Sequence, residues 1–126
     1  MRTFVNFSNH PSSKWSKEQY DAAMQYGVIV DIKFPMVNPN ASEYEITVIG
    51  DEYVKKIMEL SPVIVMCQGE FTLTYYVINK LHENGIECVS ACSERVSEER
   101  RGKNGELTKV SVFRFAGFRK YYMEER

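Results

Sequence analysis

Three short stretches of this 126-residue chain carry side chains able to hold a phosphate or move a proton. The first, Phe7–Lys14, reads FSNHPSSK and gathers Ser8, Asn9, His10, Ser12 and Ser13. Hydroxyls and amides just ahead of a helix start suit an oxyanion. The same residue types also build turns and caps, and both readings stay open. His10 is the natural acid/base candidate of that stretch, because imidazole can both take up and release a proton near neutral pH. The second stretch is Gln68–Gly69–Glu70–Phe71–Thr72, where a glycine would let the backbone approach a ligand. Glu70 there suits a ribose hydroxyl, or simply the positive end of a helix dipole. The pattern is neither GxGxxG nor a P-loop, so no dinucleotide or triphosphate follows from it. The third is Cys92–Ser93–Glu94–Arg95, whose arginine can grip a phosphate with two donors or pair with Glu94, Glu98 or Glu99.

The elements that must position these stretches can be read from periodicity. Thr3–Asn6 is a short strand, and Ser16 with Gln19 three residues on is a helix start. That helix carries Tyr20, Ala23 and Met24 on one face and stops at Gly27. Val28–Ile32 is a buried strand, and Phe34–Pro35 after it offers an apolar wall. Ser42 and Glu45 mark a second cap, after which Ile46, Ile49, Tyr53, Ile57 and Leu60 recur at helical spacing. The β-branched run within Tyr44–Ile49 also suits a strand, which leaves the start of that helix open. Val63–Cys67 is a third strand, Phe71–Asn84 a third helix capped by Gly85, and Ile86–Ala91 a fourth strand. A hairpin follows, Arg95–Arg100 and Thr108–Phe115 joined through Asn104–Gly105. Alternating strands and helices predict an α/β domain spanning 1–126, with a mainly parallel sheet ordered 2-1-3-4, helices on both faces and the hairpin at one edge. Ligands of such sheets bind beyond the carboxyl ends of the strands, between the first and third, where the three stretches converge.

Composition sets outer bounds. The chain is 44% hydrophobic and 26% charged, with no apolar run near the ~20 residues of a membrane span. The N-terminal residues lack a signal-peptide core, and Cys67, Cys88 and Cys92 lack zinc-type pairing. A cytoplasmic protein with reduced thiols is expected. No His/Asp/Glu cluster has metal-ligand spacing, so a reaction without metal or cofactor, or no reaction, is expected. Net charge is −1 but uneven: residues 1–94 hold 7 basic and 12 acidic groups, residues 95–126 hold 9 and 5. The basic C-terminal third suits an anionic partner, or a solvated amphoteric hairpin. The aromatic set Tyr75, Tyr76, Phe113, Phe115, Phe118, Tyr121 and Tyr122 is expected in core or interface rather than as a stacking platform.

Taken together, several segments resemble one family. Phe4–Asn6 running into Ser8–Asn9–His10, then Gln68–Gly69–Glu70–Phe71–Thr72–Leu73–Thr74–Tyr75, Ser93–Glu94–Arg95–Val96, Phe113–Arg114–Phe115 and Phe118–Arg119–Lys120–Tyr121 are similar to the small stand-alone CRISPR-associated proteins of type III systems. The chain departs from them at Cys92–Ser93, where small hydroxyl residues are expected, and at Gly117. The resemblance implies a Rossmann-like, CARF-related fold that handles cyclic oligoadenylate. Some relatives cut the ring (ring nucleases) and others only bind it. It implies ring opening by the ligand's own 2′-OH, with His10 as general acid or base and Ser93 and Arg95 at the phosphate. Ser8, Asn9, Ser12, Ser13, Gln68, Gly69, Glu70, Phe71 and Thr72 would hold the ligand. Cyclic tetra-adenylate is the favoured partner, and a two-fold symmetric ring implies a homodimer. Membrane and DNA are not expected. A non-catalytic binder of the same ring, and an unrelated nucleotide-binding α/β protein, are the alternatives.

Overall fold

β1 (Thr3–Ser8) lies fully buried inside the sheet, paired in parallel with β2 (Val28–Lys33) on one side and β3 (Ile64–Cys67) on the other. The computed structural model describes residues 2–124 of the chain. β4 (Glu87–Arg101) runs parallel to β3, and β5 (Leu107–Lys120) returns antiparallel to β4, giving the order β2-β1-β3-β4-β5. This is the expected α/β arrangement, mostly parallel with an antiparallel last pair. β1 is two residues longer than its sequence suggests, because Phe7 pairs with Cys67 and Ser8 with Lys33. Pairing with β3 carries the strand through Phe7, and pairing with β2 carries it on through the polar Ser8.

Three helices cover the sheet. α1 (Lys17–Met24) starts where Ser16 accepts a hydrogen bond from the Gln19 amide, as expected, but ends before Gly27. α2 (Glu43–Glu59) is helical throughout the β-branched run, since the Ser42 hydroxyl caps the Glu45 amide at 3.1 Å. Here the cap and the apolar spacing outweigh strand propensity. α3 (Phe71–Glu83) follows β3 directly. Successive strand residues point to opposite faces, so two cores form. Val5, Phe7, Val65 and Cys67 pack with Ile57 of α2 and Leu73, Val77 and Leu81 of α3. On the other face Phe4, Ile64, Met66 and Val89 meet Ala23 of α1, Trp15 and Phe118.

The fourth strand and the first hairpin strand, read as separate from the sequence, are one strand. What separates them is a β-bulge: Cys92 opposes Gly117, Ser93 opposes Phe115, and Ala116 is the extra residue. Gly117 has φ +151° there, a conformation glycine adopts without steric cost. Beyond the bulge the two strands run on as a ribbon to the turn at Gly102–Gly105, where Gly105 has φ +81°.

Candidate functional site

The loop after β1 is held by one buried side chain. Asn6, 1% exposed, donates from Nδ2 to the His10 carbonyl and to Asp31 Oδ1, both at 2.9 Å. Its Oδ1 accepts the Ser8 hydroxyl at 2.7 Å, and that hydroxyl oxygen accepts the His10 amide at 3.1 Å. Asp31 stands opposite Asn6 in the sheet register, and its carboxylate accepts the Ser12 amide at 3.2 Å and hydroxyl at 3.0 Å. Trp15 Nε1 donates to the His10 carbonyl at 2.9 Å. His10 thus has a fixed backbone and an exposed imidazole. Ser8 is a strand residue, 4% exposed, with its hydroxyl engaged in the network rather than lying free in a loop. Asn6 and Asp31 did not figure among the expected site residues. Their signal was present, since each is a polar residue flanked by apolar ones within a strand, and the buried Asn6 needs partners.

The turn after β3 uses its residues differently from the expected cradle. Glu70 is the N-cap of α3, its carboxylate accepting the Thr72 amide at 2.7 Å, the Leu73 amide at 3.0 Å and the Thr72 hydroxyl at 2.6 Å. Desolvation pushes the Glu70 carboxyl upward, but the Thr72 hydroxyl and the two amides outweigh it, leaving a net shift below the ordinary value. Two of the helix's free donors are therefore already satisfied by the protein. At Gly69 a Cβ would sit 2.5 Å from the Phe34 ring. The glycine accommodates a buried phenylalanine, which stacks on Phe7 at 4.7 Å between ring centres. Gln68 points back into the sheet end, and its Oε1 accepts the Ala91 amide at 2.5 Å.

On the third side the bulge sets which side chains face the site. Counting Ala116 and Gly117 as one step puts Phe115 on the same face as Phe118, and their rings meet at 5.1 Å. Phe113 follows two residues on, 71% exposed. The Arg95 guanidinium lies 5.3 Å from the centre of the Phe113 ring. Among the described residues Arg95 has no ion pair, so neither Glu94 nor Glu98 nor Glu99 holds it.

These parts form a cleft of about 640 Å³ over the carboxyl ends of β1 and β3 and against the middle of β4, at Ala91 and Ser93. His10, Gln68 and Ser93 supply its polar groups, Lys14 its charge, and Trp15, Phe113 and Phe115 an aromatic side. Asn9 also lines it, whereas Ser12, Ser13 and Arg95 do not. A second groove joins His10 and Asn9 to Gln68, Gly69 and Phe71, so the turn after β3 is reached from the same loop. Phe34 and Pro35 form the expected apolar wall, in a separate hollow with Asn9, Lys33 and Tyr53. Thr72 is committed to Glu70. Lys14, Trp15 and Phe113 were not foreseen as site residues; their approach depends on the short 3-10 turn Ser12–Lys14 and on the bulge. Among the described residues no group of three or more His, Cys, Asp and Glu is placed to hold a metal ion. Cys67 and Cys88 are buried in the cores, and burial, with the Glu87 charge adding, pushes the Cys88 thiol up to about 12. Burial also drives the Cys67 thiol far upward, with Cys88 adding and the Thr74 hydroxyl opposing. Among the described residues no helix is long and apolar enough to cross a membrane.

No curated protein and no solved structure matches the chain. One family model does, over residues 2–119, which takes in all of the cleft and every strand and helix but the last residue of β5. The chain belongs to that family, described as the uncharacterized protein MJ1673 family.

Proposed function

We propose that the protein is a cytoplasmic, Rossmann-like ring nuclease that binds cyclic oligoadenylate and opens it without a metal. The observation that carries this reading is the cleft: hydrogen-bonding groups on one side, aromatic rings on the other, and a lysine, at the strand ends where α/β sheets take ligands. A phosphate would meet His10, Ser93 and Lys14, and a base would meet the rings. The cleft volume suits a small ligand, within the ~300–1,000 Å³ common for such sites. A ring of four nucleotides is larger, so each of two protomers would take half of it across a dyad. In the reaction the ribose 2′-oxygen attacks the neighbouring phosphorus and the P–O5′ bond breaks. The 2′-hydroxyl proton leaves to a base and O5′ gains one, giving a linear product with a 2′,3′-cyclic phosphate. Holding the sugar in line supplies much of the rate, and His10 serves as the proton-transfer group.

One observation favours a second reading, a non-catalytic binder of the same ring. No carboxylate lines the cleft among the described residues, so the imidazole of His10 lacks the orienting partner that acid/base histidines often have. The test is incubation with cyclic tri-, tetra- and hexa-adenylate in EDTA, read by chromatography, with His10→Ala alongside. The nuclease reading expects a linear product from the parent and a loss of roughly 10²–10⁴-fold in kcat for the variant at similar Kd. An intact ring co-eluting with the parent establishes the binder instead. No interaction with any of the rings overturns both.

A further inference from the structure

A chain of aromatic contacts climbs from the core to the rim of the cleft. Buried Phe4 meets Phe118 at 5.2 Å and Trp15 at 6.2 Å, Trp15 meets Phe118 at 6.5 Å, and Phe118 meets Phe115 at 5.1 Å. The next ring on that face, Phe113, ends the series in the open, 71% exposed yet lining the cleft. Isolated exposed apolar residues are common and need no purpose. Phe113 differs in two respects. It continues a face of the ribbon that is otherwise committed to the cleft, through Ala91, Ser93 and Phe115. It also carries the guanidinium of Arg95, which does not itself line the cleft and has no acidic partner among the described residues. A cation over an aromatic ring fixes the ring's orientation and draws on its negative face.

We propose that Phe113 is a stacking platform for a purine base entering the cleft, and that Arg95 is a positioning residue that holds the ring in place. The inference rests on the nucleotide reading of the cleft and names the group that reads the base. The two halves of the ligand are then separated in space: phosphate toward His10, Ser93 and Lys14, base toward Phe113 and Phe115. Phe113 is far enough out of the core that truncating it leaves the packing of Phe4, Phe118 and Trp15 in place.

Titration calorimetry with cyclic tetra-adenylate, AMP and ribose 5-phosphate tests this. With the parent, both adenine ligands are expected to bind, and Phe113→Ala should weaken both by roughly 5- to 100-fold, the range of one base–aromatic stack. Phe113→Tyr should bind as the parent does. Ribose 5-phosphate, which has no base, should show the same affinity for all three proteins. Arg95→Gln should weaken the adenine ligands several-fold, with Arg95→Lys regaining part of the loss. If the parent binds the ring and Phe113→Ala binds it equally well, the platform is wrong and the nucleotide site stands. If AMP binds in a Phe113-dependent manner and the ring does not bind, the platform stands and the cyclic ligand is wrong. If neither adenine ligand binds the parent, both are overturned.

Discussion

Asn6 shows how much of the site depends on a residue that does not touch the cleft. Its amide fills three hydrogen-bonding roles at once, to His10, Asp31 and Ser8, inside a fully buried strand. Replacement by leucine would keep the branched shape but remove the acceptor of the buried Ser8 hydroxyl and one of the two donors to the His10 carbonyl, leaving that of Trp15. Asn6→Leu is expected to cost about 2–3 kcal/mol in urea unfolding, and to release the backbone of His10. A loss under about 0.5 kcal/mol would show that water replaces the amide. At this scale the sequence exposed His10, Asn9, Ser93 and Gln68 as polar residues near strand ends, and they do line the cleft. It left open whether Ser8, Ser12 and Glu70 spend their oxygens on the fold; their partners are Asn6 in the same strand, Asp31 across the sheet and Thr72 in the first turn of α3. Nor does spacing along the chain reveal that Arg95 stands over Phe113 and outside the cleft.

The helices were legible where a cap and an apolar face agree. Ser16 and Ser42 each cap the amide three residues on, and both helices start there. The end of α1 was less clear than that of α2, where termination depends on the backbone conformation of one residue. After α2 that residue is Ser61, whose φ of +48° is the one positive value at a non-glycine among the described residues. The next residue is Pro62, which cannot continue a helix. A left-handed conformation costs a residue with a Cβ about 1 kcal/mol relative to glycine. Ser61→Gly is therefore expected to raise stability by roughly 0.5–1 kcal/mol, offset in part by a more flexible unfolded chain. A melting temperature equal to or below the parent's would mean that the serine hydroxyl stabilises the turn by as much as its backbone strains it. The long fourth strand was missed for a related reason. The serine and charged residues after Cys92 read as a break, whereas cross-strand pairing with β5 carries the strand through to Arg101.

For the molecule as a whole, the buried thiols couple stability to alkaline pH. Cys67 and Cys88 stay protonated in the folded state well beyond the ordinary thiol range, Cys88 up to about 12. In the unfolded chain both ionise near 8.5. Raised folded values mean that their contribution is complete below about pH 8.5 and declines as pH rises toward 12. Each thiol should cost up to about 1.4 kcal/mol per pH unit in that window. Stability measured from pH 8 to 10.5 is expected to fall, and Cys67→Ala together with Cys88→Ala should flatten the decline while lowering stability at neutral pH. An equally steep decline in the double variant would assign it to other groups. The sheet order was open to inference at this scale because parallel crossovers leave few alternatives. The reach of the ribbon was open too, since Asn104–Gly105 marks its turn and the hairpin ends read at Arg100 and Thr108 lie one residue from the observed Arg101 and Leu107.

The bulge at Ala116–Gly117 has a consequence for how relatives of this chain are aligned. It makes two residues of β5 count as one against β4. Deleting Ala116 would straighten the ribbon and leave Phe113 and Phe115 toward the cleft. Inserting one residue between Cys92 and Ser93 would straighten it equally, yet turn both rings to the opposite face, with every present residue retained. A gap of the same length thus means opposite things in the two strands. A column of aligned phenylalanines at 113 and 115 marks a shared aromatic wall only where the count across the bulge is also kept.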